Sequence, residues 1–372
     1  MIKKKLKYFY RIIIYNFFFL IYKKPKLPPI KKKKTNKVKV FSFKIYNKKF
    51  YVYKILNGKV YTNTIDDTAY IENNYLISGP SFQYRNSINV NIKNNVCLRI
   101  GTPRFLKKIK GTVLSLLTGG AGNYNYGHWL WDVLPRIYLF NKFFPLEEID
   151  FFLVPSVRFS FQKDSLKLLG LPKKKIIESN NHRHLQAEEI YATSHPSFHD
   201  PEKISRFSIE FLRKSFLIKK IVSKKKFFEM IYLDRGENVL INNKNLVNYR
   251  NYRIILNEDE VKKYLISKGF KIIKPQNLPF KDQINIFYNA ECVMSLQGAG
   301  LANAIFCRPN TKIIEIKTIN AGNEFLRISN FCKLNHYQIS LKPVFKSDSL
   351  QNGLMYCPIK KVENALKYLK VI

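Results

Sequence analysis

Acidic residues are scarce in this chain: 26 Asp and Glu stand against 65 Lys and Arg, a formal net charge of +39 over 372 residues. A field of that sign draws in anions such as phosphates, nucleic acid or acidic lipid. The surplus is mostly lysine in short scattered clusters, KKKK at 31–34 and KKK at 173–175 and 224–226. That scatter is the pattern of a solvated face rather than of a nucleic-acid footprint, so nucleic acid is not an expected partner. The five cysteines (97, 292, 307, 332 and 357) include no CxxC pair and are odd in number. A reduced, cytoplasmic setting is expected, with the cysteines acting as small core residues. Long apolar runs are missing too. The most apolar stretch, YFYRIIIYNFFFLIY at 8–22, contains Arg11 and Asn16, and is followed by KKPKLPP rather than by a small-residue cleavage site. A helix that crosses a bilayer needs about 20 apolar residues.

What the chain has is core-forming material, 46% hydrophobic and 15% aromatic, enough at this length for two or three domains. The basic, aromatic segment 8–22 fits either an acidic membrane surface, where the protein would sit peripherally on the inner face of the plasma membrane, or a helix or strand packed on the protein's own core. Residues 25–36, PKLPPIKKKKTN, form a linker. From Lys37 the runs KVFSFKIY, KFYVYKI and KVYTNTI predict strands, and Asn57-Gly58 predicts a hairpin between two of them.

Beyond residue 100, strands and helices alternate. TVLSLL, DFFLVP, KIIES and EEIYATS are expected strands. Between them come a helical segment near 126–144, FQKDSLKLLG ending at Gly170, and a helix opened by Asp200 and Pro201. IVSKKK at 221–226 is an expected interdomain connection. The alternation then resumes with FEMIYL, NEDEVKKYLISKG (Asn257 as N-cap, Glu260 as its capping-box partner, Gly269 as the stop), FKIIKP, FKDQINIFYNA, CVMSL, LANAIFC and TKIIEI. Strict alternation implies parallel sheets. The expected fold class is α/β, with a β-rich amino-terminal part at the start of a first domain (37–220) and a Rossmann-like second domain (221–372), whose last helix is expected to pack back on the first.

Two stretches carry candidate chemistry. SLQGAGLANAIF at 295–306 sits between an expected strand and an expected helix, where amide N–H groups and the positive end of the helix dipole suit a phosphate. Gly298 and Gly300 would let the chain turn and let an anion approach without a Cβ in the way. Packing alone also accounts for two glycines in such a loop. The GxGxxG pattern fails at Asn303, and the Walker pattern is missing. The second stretch is NYGHWLWDVLPRIYLF at 125–140. On a helix, His128 and Asp132 share a face, and Pro135 kinks the axis before Arg136. A buried ion pair with aromatic packing and a catalytic stripe both fit that spacing.

In order and spacing, GHWLWDVLPR, YLDRGE, RIILNEDEV, FKDQINIFYNAECVMSLQGAGLANAIF and KIIEI resemble the family-61 glycosyltransferases and their bacterial capsular-polysaccharide relatives over about residues 110–320. The resemblance implies a GT-B-like pair of Rossmann domains and an inverting transfer. It implies a nucleotide-sugar donor and a glycan or lipid-linked acceptor, in surface or capsular polysaccharide biosynthesis. It carries donor binding onto Arg235, Arg253, Gln283, Gln297, Gly298, Ala299, Gly300 and Glu315. The family usually has His before GAGL, where this chain has Gln297, which cannot carry a proton. Gly236 replaces a second basic residue often seen after the arginine.

An inverting displacement needs a base for the acceptor hydroxyl. Asp132 is the expected base, with His128 as the alternative or as the group that orients it. Trp129, Arg136, His195 and His199 are expected on the acceptor side. With no Asp-x-Asp in the chain, no metal is expected, and basic side chains would stabilise the leaving diphosphate. His182, His184, His195 and His199 offer a competing zinc constellation, with an acceptor-binding loop the preferred reading. Two other functions fit parts of the sequence: an inactive nucleotide-sugar-binding module, and a nucleic-acid-binding protein.

Overall fold

The computed structural model describes residues 2–28, 36–62, 68–81, 83–85, 88–90, 92–118, 124–197, 204–218, 229–236, 252–344, 347 and 349–372. His199, the helix start at Asp200 and Pro201, and the connection at 221–226 lie outside them. The chain divides into two compact units, Met1–Ser208 and Ile209–Ile372.

The first unit begins with helix α1 (Ile2–Tyr22). Strands β1 (Val38–Ile45), β2 (Lys48–Leu56), β3 (Lys59–Tyr61), β4 (Ala69–Glu72), β5 (Tyr75–Leu76), β6 (Gln83–Arg85) and β7 (Ile88–Val90) follow, then the short α2 (Cys97–Ile100). The alternating part comprises β8 (Lys107–Ser115), α3 (Tyr126–His128), α4 (Pro135–Phe140), β9 (Phe151–Val154), α5 (Ser160–Leu168), β10 (Ile176–Glu178) and β11 (His184–Thr193). A nine-stranded sheet runs β10-β9-β8-β11-β3-β4-β5, with β2 also on β11 and β1 on β2. Four strands, β10, β9, β8 and β11, are mutually parallel, and the amino-terminal strands extend them antiparallel. This is the expected β-rich start, built onto an α/β core of Ile55, Val60, Tyr70, Val113, Leu153 and Ile190.

Asn57-Gly58 does not make the expected hairpin. Strands β2 and β3 pair with successive halves of β11 and not with each other: Val52–Leu56 face Glu189–Thr193, and Lys59–Tyr61 face His184–Gln186. Asn57, at φ +49°, absorbs a kink opposite the register shift between Ala187 and Glu189 on β11. Among the described residues, two-residue turns lie at Tyr46-Asn47 (φ +49° and +63°) between β1 and β2, and at Asn73-Asn74 (φ +45° and +64°) between β4 and β5. Positive φ at both central residues matches the right-handed twist of the flanking strands.

Helix α6 (Arg206–Phe216) spans the boundary. The boundary falls ahead of the expected 220/221 because the later turns of α6 belong to the second unit: Arg213 donates to the Ile305 and Cys307 carbonyls, and Phe216 packs edge-on against Phe280 and Phe306. The second unit continues with β12 (Met230–Leu233), β13 (Arg253–Ile255), α7 (Glu258–Ser267), β14 (Lys271–Ile273), α8 (Phe280–Asn289) and β15 (Cys292–Leu296). A 3-10 helix (Ala299–Phe306) comes next, then β16 (Lys312–Thr318), α9 (Glu324–Cys332), β17 (Asn335–Leu341), β18 (Gly353–Met355) and α10 (Ile359–Tyr368). Its five-stranded parallel sheet has the order β14-β12-β15-β16-β17. Read along the main sheet that is 2-1-3-4-5, which puts the topological switch between β12 and β15. One face of the sheet (Met294, Leu296, Ile314, Ile316, Ile339) packs on Val261 and Leu265 of α7 and Val362, Ala365 and Leu366 of α10. The apolar face of the last helix therefore enters the core of its own unit.

Helix α7 stops as expected at Gly269, φ +87°, where the Phe270 N–H returns to the Leu265 carbonyl. Its start differs from expectation. The Asn257 side chain makes no cap bond; it forms a two-way clamp with the Cys357 backbone, donating to its carbonyl and accepting from its N–H, both at 2.9 Å, with a further 3.2 Å contact to Glu260. The amide serves as a strand rung, joining α7 to the end of β18.

Candidate functional site

In the first unit the residues of interest follow the carboxyl ends of the parallel strands β8 and β11. The Asn125 side chain accepts from the His128 N–H and starts the helix. After His128 the backbone widens into a π turn over Trp129–Val133, closed by the Leu134 N–H on the Trp129 carbonyl at 3.2 Å. Pro135, which has no N–H, follows directly, so the expected proline kink takes the form of a π bulge one turn earlier. Gly127 lies under the Trp131 ring, where a Cβ would come within 2.2 Å of it.

His128 and Asp132 meet as their spacing predicts, Nδ1 to Oδ2 at 2.6 Å. The other carboxylate oxygen accepts from Ser197 Oγ at 2.9 Å and has His195 Nε2 at 3.8 Å. His195 Nδ1 accepts from the Ser197 N–H and its Nε2 faces Thr118 Oγ1 at 3.2 Å, which assigns its proton to Nε2. Burial lowers the His195 pKa to about 4 despite the attraction of Asp132, so the ring is neutral at pH 7. Burial pushes the Asp132 carboxyl upward, but the field of His195, the His128 hydrogen bond and Ser197 outweigh it and hold it below the usual range. The result is a buried carboxylate, 2% exposed, with both oxygens engaged. The His128 side chain is 18% exposed and lies nearer solvent. With Nδ1–H directed at Asp132, the basic lone pair of His128 is on Nε2. Of the two expected bases, the His128 imidazole lies nearer solvent and Asp132 is the buried partner of its Nδ1.

Three of the residues expected on the acceptor side have their surroundings defined by the structure. Trp129 is fully buried, its indole N–H donating to Ser165 Oγ at 2.9 Å; it is a core residue. Arg136 is buried and donates to the carbonyls of Asp132 (3.0 Å) and Thr193 (3.3 Å), clamping the π turn to the end of β11 rather than pairing with the Asp132 carboxylate. His195 lies beside Asp132, inside the cluster. The other histidines of the zinc constellation sit apart: His182 Nδ1 is 3.1 Å from the Glu178 carbonyl, and buried His184 is 3.0 Å from that of Arg104. Among the described residues no three His, Cys, Asp or Glu side chains are placed to hold a metal ion.

In the second unit, Arg235 follows β12 and Gln297 follows β15, on either side of the switch point. Arg235 Nη1 donates to the Gln297 carbonyl at 2.8 Å, and Arg253 Nη1 donates to the same oxygen. Arg253 is also held by the Gln351 carbonyl at 2.6 Å. Gly298 is extended (φ 177°), so no backbone strain requires glycine there; a Cβ would lie 2.8 Å from Arg235 Nη1, and close approach of that arginine is the reason. Gly300 has neither a positive φ nor a crowded Cβ, the nearest atom being Pro275 Cγ at 3.8 Å, which corrects the expectation that the chain needs it to turn. Gly298, Ala299 and Gly300 are half-buried, at the start of the 3-10 helix.

Three other donor-side expectations fall in the interior. Gln283 bonds to the Leu278 carbonyl and to Asn303, tying α8 to the 3-10 helix. Glu315 is fully buried between His336 (3.1 Å) and Gln338 (2.9 Å), joining β16 to β17. The buried Gln297 side chain donates to the Gly322 carbonyl at 2.9 Å, so at this position it is the main chain that meets the arginines. Lys317, unmarked in the sequence reading, is buried and donates to the same Gly322 carbonyl and to Asn323. Thr118, Ser197 and the clamp made by Arg136 were missed for a simpler reason: they join segments far apart in the chain.

No curated protein matches the sequence. A family model described as Glycosyltransferase 61 matches residues 126–314, a span that begins just ahead of His128 and contains Asp132, Arg235, Arg253 and the Gln297-Gly298 turn. Because that match covers half of the chain, the protein belongs to glycosyltransferase family 61 and is a glycosyltransferase.

Proposed function

We propose that the protein transfers a sugar, with inversion, from a nucleotide-sugar donor to a hydroxyl of a glycan or lipid-linked acceptor in surface or capsular polysaccharide biosynthesis, and that its two units form a GT-B pair. The observation that carries the donor reading is the convergence of Arg235 and Arg253 on the Gln297 carbonyl at the switch point of the second sheet. Sheets of this kind bind ligands at that position, and a guanidinium fork suits a diphosphate. In this reading the second unit serves the donor and the first serves the acceptor.

The chemistry then follows from the first cluster. His128 Nε2 takes the proton from the acceptor hydroxyl as its oxygen bonds to the anomeric carbon. The bond from that carbon to the diphosphate oxygen breaks, and its electron pair leaves with the nucleoside diphosphate. Asp132 holds the ring in the required tautomer and stabilises the imidazolium. Arg235 and Arg253, with the N–H groups at the start of the 3-10 helix, would stabilise the leaving anion.

The test is a thermal-shift screen of the purified protein against a panel of nucleotide sugars, followed by a transfer or hydrolysis assay with the ligand that raises the melting temperature. Binding together with turnover supports the reading. Binding without turnover assigns the chain to the class of inactive donor-binding modules, and no binding by any nucleotide sugar overturns the donor assignment.

A further inference from the structure

We propose that the outward face of α1 docks on an anionic lipid bilayer. The inference stands apart from the sugar-transfer reading and uses different residues. One stripe of the helix is committed inward: Tyr15 packs on the small core of Tyr61, Ile71, Leu76 and Cys97, Phe19 covers Gly101, and the Tyr22 hydroxyl accepts the Leu106 N–H at 2.9 Å. These contacts fix the helix against the first unit and turn a second apolar stripe outward.

That second stripe is Phe9, Ile13, Phe17 and Leu20, exposed by 68%, 64%, 49% and 86%, at the spacing of one helix face. Phe105, 70% exposed, extends it by packing against Phe17 and Phe18 at 6.5 and 5.1 Å. A continuous apolar stripe of this kind marks a contact surface. The charge around it selects the partner. The helix sequence contains Lys3, Lys4, Lys5, Lys7 and Arg11 and no acidic residue, Lys23 and Lys24 follow it, and Arg104, Lys107 and Lys108 flank Phe105 on the exposed surface.

A second copy would bring like charges together. Acidic headgroups neutralise them while the aromatic and aliphatic side chains enter the interface. The helix is not long and apolar enough to cross a membrane, so the docking is parallel to the surface.

The test is co-sedimentation of the full chain with vesicles of phosphatidylcholine alone, or with about one third phosphatidylglycerol. The expected result is sedimentation with the anionic vesicles only, weakened by salt, and at least about tenfold weaker for the triple variant Phe9→Ser, Ile13→Ser, Leu20→Ser at an unchanged melting temperature. Leu20→Cys carrying an environment-sensitive dye supplies a second readout, since the five native cysteines are buried; its emission should shift to the blue on anionic vesicles. The proposal is overturned by a lack of sedimentation with anionic vesicles, by sedimentation that the triple variant leaves unchanged, or by a dimer in light scattering that this variant dissolves while no vesicle binding is seen.

Discussion

The two polar clusters of this glycosyltransferase handle charge in opposite ways. In the first unit a single carboxylate, Asp132, is surrounded by two imidazoles and a hydroxyl, and the buried cation next to it, Arg136, is tied to main-chain carbonyls. In the second unit Arg235, Arg253 and Lys317 gather about Gln297 and Gly322 through carbonyl contacts, with Glu315 held apart by His336 and Gln338. A cluster of the first kind holds a proton at one nitrogen. One of the second kind gathers cations over main-chain dipoles, an arrangement that suits an anion. If that contrast is functional, substitutions in each cluster should disturb one half of the reaction and leave the other intact.

The largest effect is expected at the proposed base. His128→Ala should lower kcat by about 100- to 10,000-fold with donor affinity unchanged, and Asp132→Asn should do nearly as much by disturbing the tautomer. Steady-state kinetics with calorimetric donor titration measure both quantities. Equal loss of donor affinity and kcat would break the division of labour, and full activity in His128→Ala would return the role of base to Asp132.

Acid should also separate the two units. Burial lowers His195 and His184 to about 4 from 6.5, and both lie in the first unit. A histidine depressed in the folded state binds fewer protons than in the unfolded chain between those values, so stability is full above pH 6.5 and falls as pH drops toward 4. Each is worth up to about 3 kcal/mol across that window. The Asp132 carboxyl, also depressed, adds a loss in the same direction at lower pH. Urea melts at pH 7.5 and 5, combined with pulse proteolysis, should show the first unit opening before the second at pH 5. A His184→Gln variant should show a shallower pH dependence, and an unchanged one would sink the assignment.

Next in size is Arg235. Arg235→Ala should weaken binding of the nucleoside diphosphate about 10- to 100-fold, since a charged hydrogen bond contributes roughly 1.5–3 kcal/mol. Lysine should restore little of it, having no planar fork. Calorimetry decides this, and the residual turnover at saturating donor should approach that of the wild type.

How far the sequence foretold these clusters depends on the range of the interactions. The strands of the second unit are legible because buried parallel strands are continuous apolar runs, and α7 ends where Gly269 predicts. His128 and Asp132 are one helical turn apart, so local spacing finds the pair. Ser197 reaches Asp132 across 65 residues, and Asn257 reaches Cys357 across 100, distances over which no periodic signal survives. Asn57-Gly58 misleads because β11, distant in sequence, takes both flanking strands as its own partners. Trp129, Gln283 and Glu315 show what residue type alone does not reveal. Each is a polar or amphipathic residue held inside the fold: the Trp129 indole N–H and the Gln283 amide are engaged there, and Glu315 accepts through Oε2 while its buried Oε1 has no hydrogen-bond partner among the described residues.

The smallest effect gives the sharpest contrast, because it lies within a single turn. Gly298 and Gly300 look equivalent in the sequence, yet a Cβ at 298 would meet Arg235 Nη1 at 2.8 Å and one at 300 meets nothing closer than 3.8 Å. Gly298 is extended and Gly300 lies outside the left-handed region, so backbone strain does not enter. Gly298→Ala should therefore push the Arg235 guanidinium from its place over the turn and weaken diphosphate binding severalfold, about 1 kcal/mol for a displaced but not deleted donor. Gly300→Ala should leave binding within twofold and hold or raise the melting temperature, since alanine restricts the unfolded chain by about 0.4–1 kcal/mol at no steric cost. Equal losses in the two variants would mean that the loop backbone, and not the arginine above it, makes the anion contact.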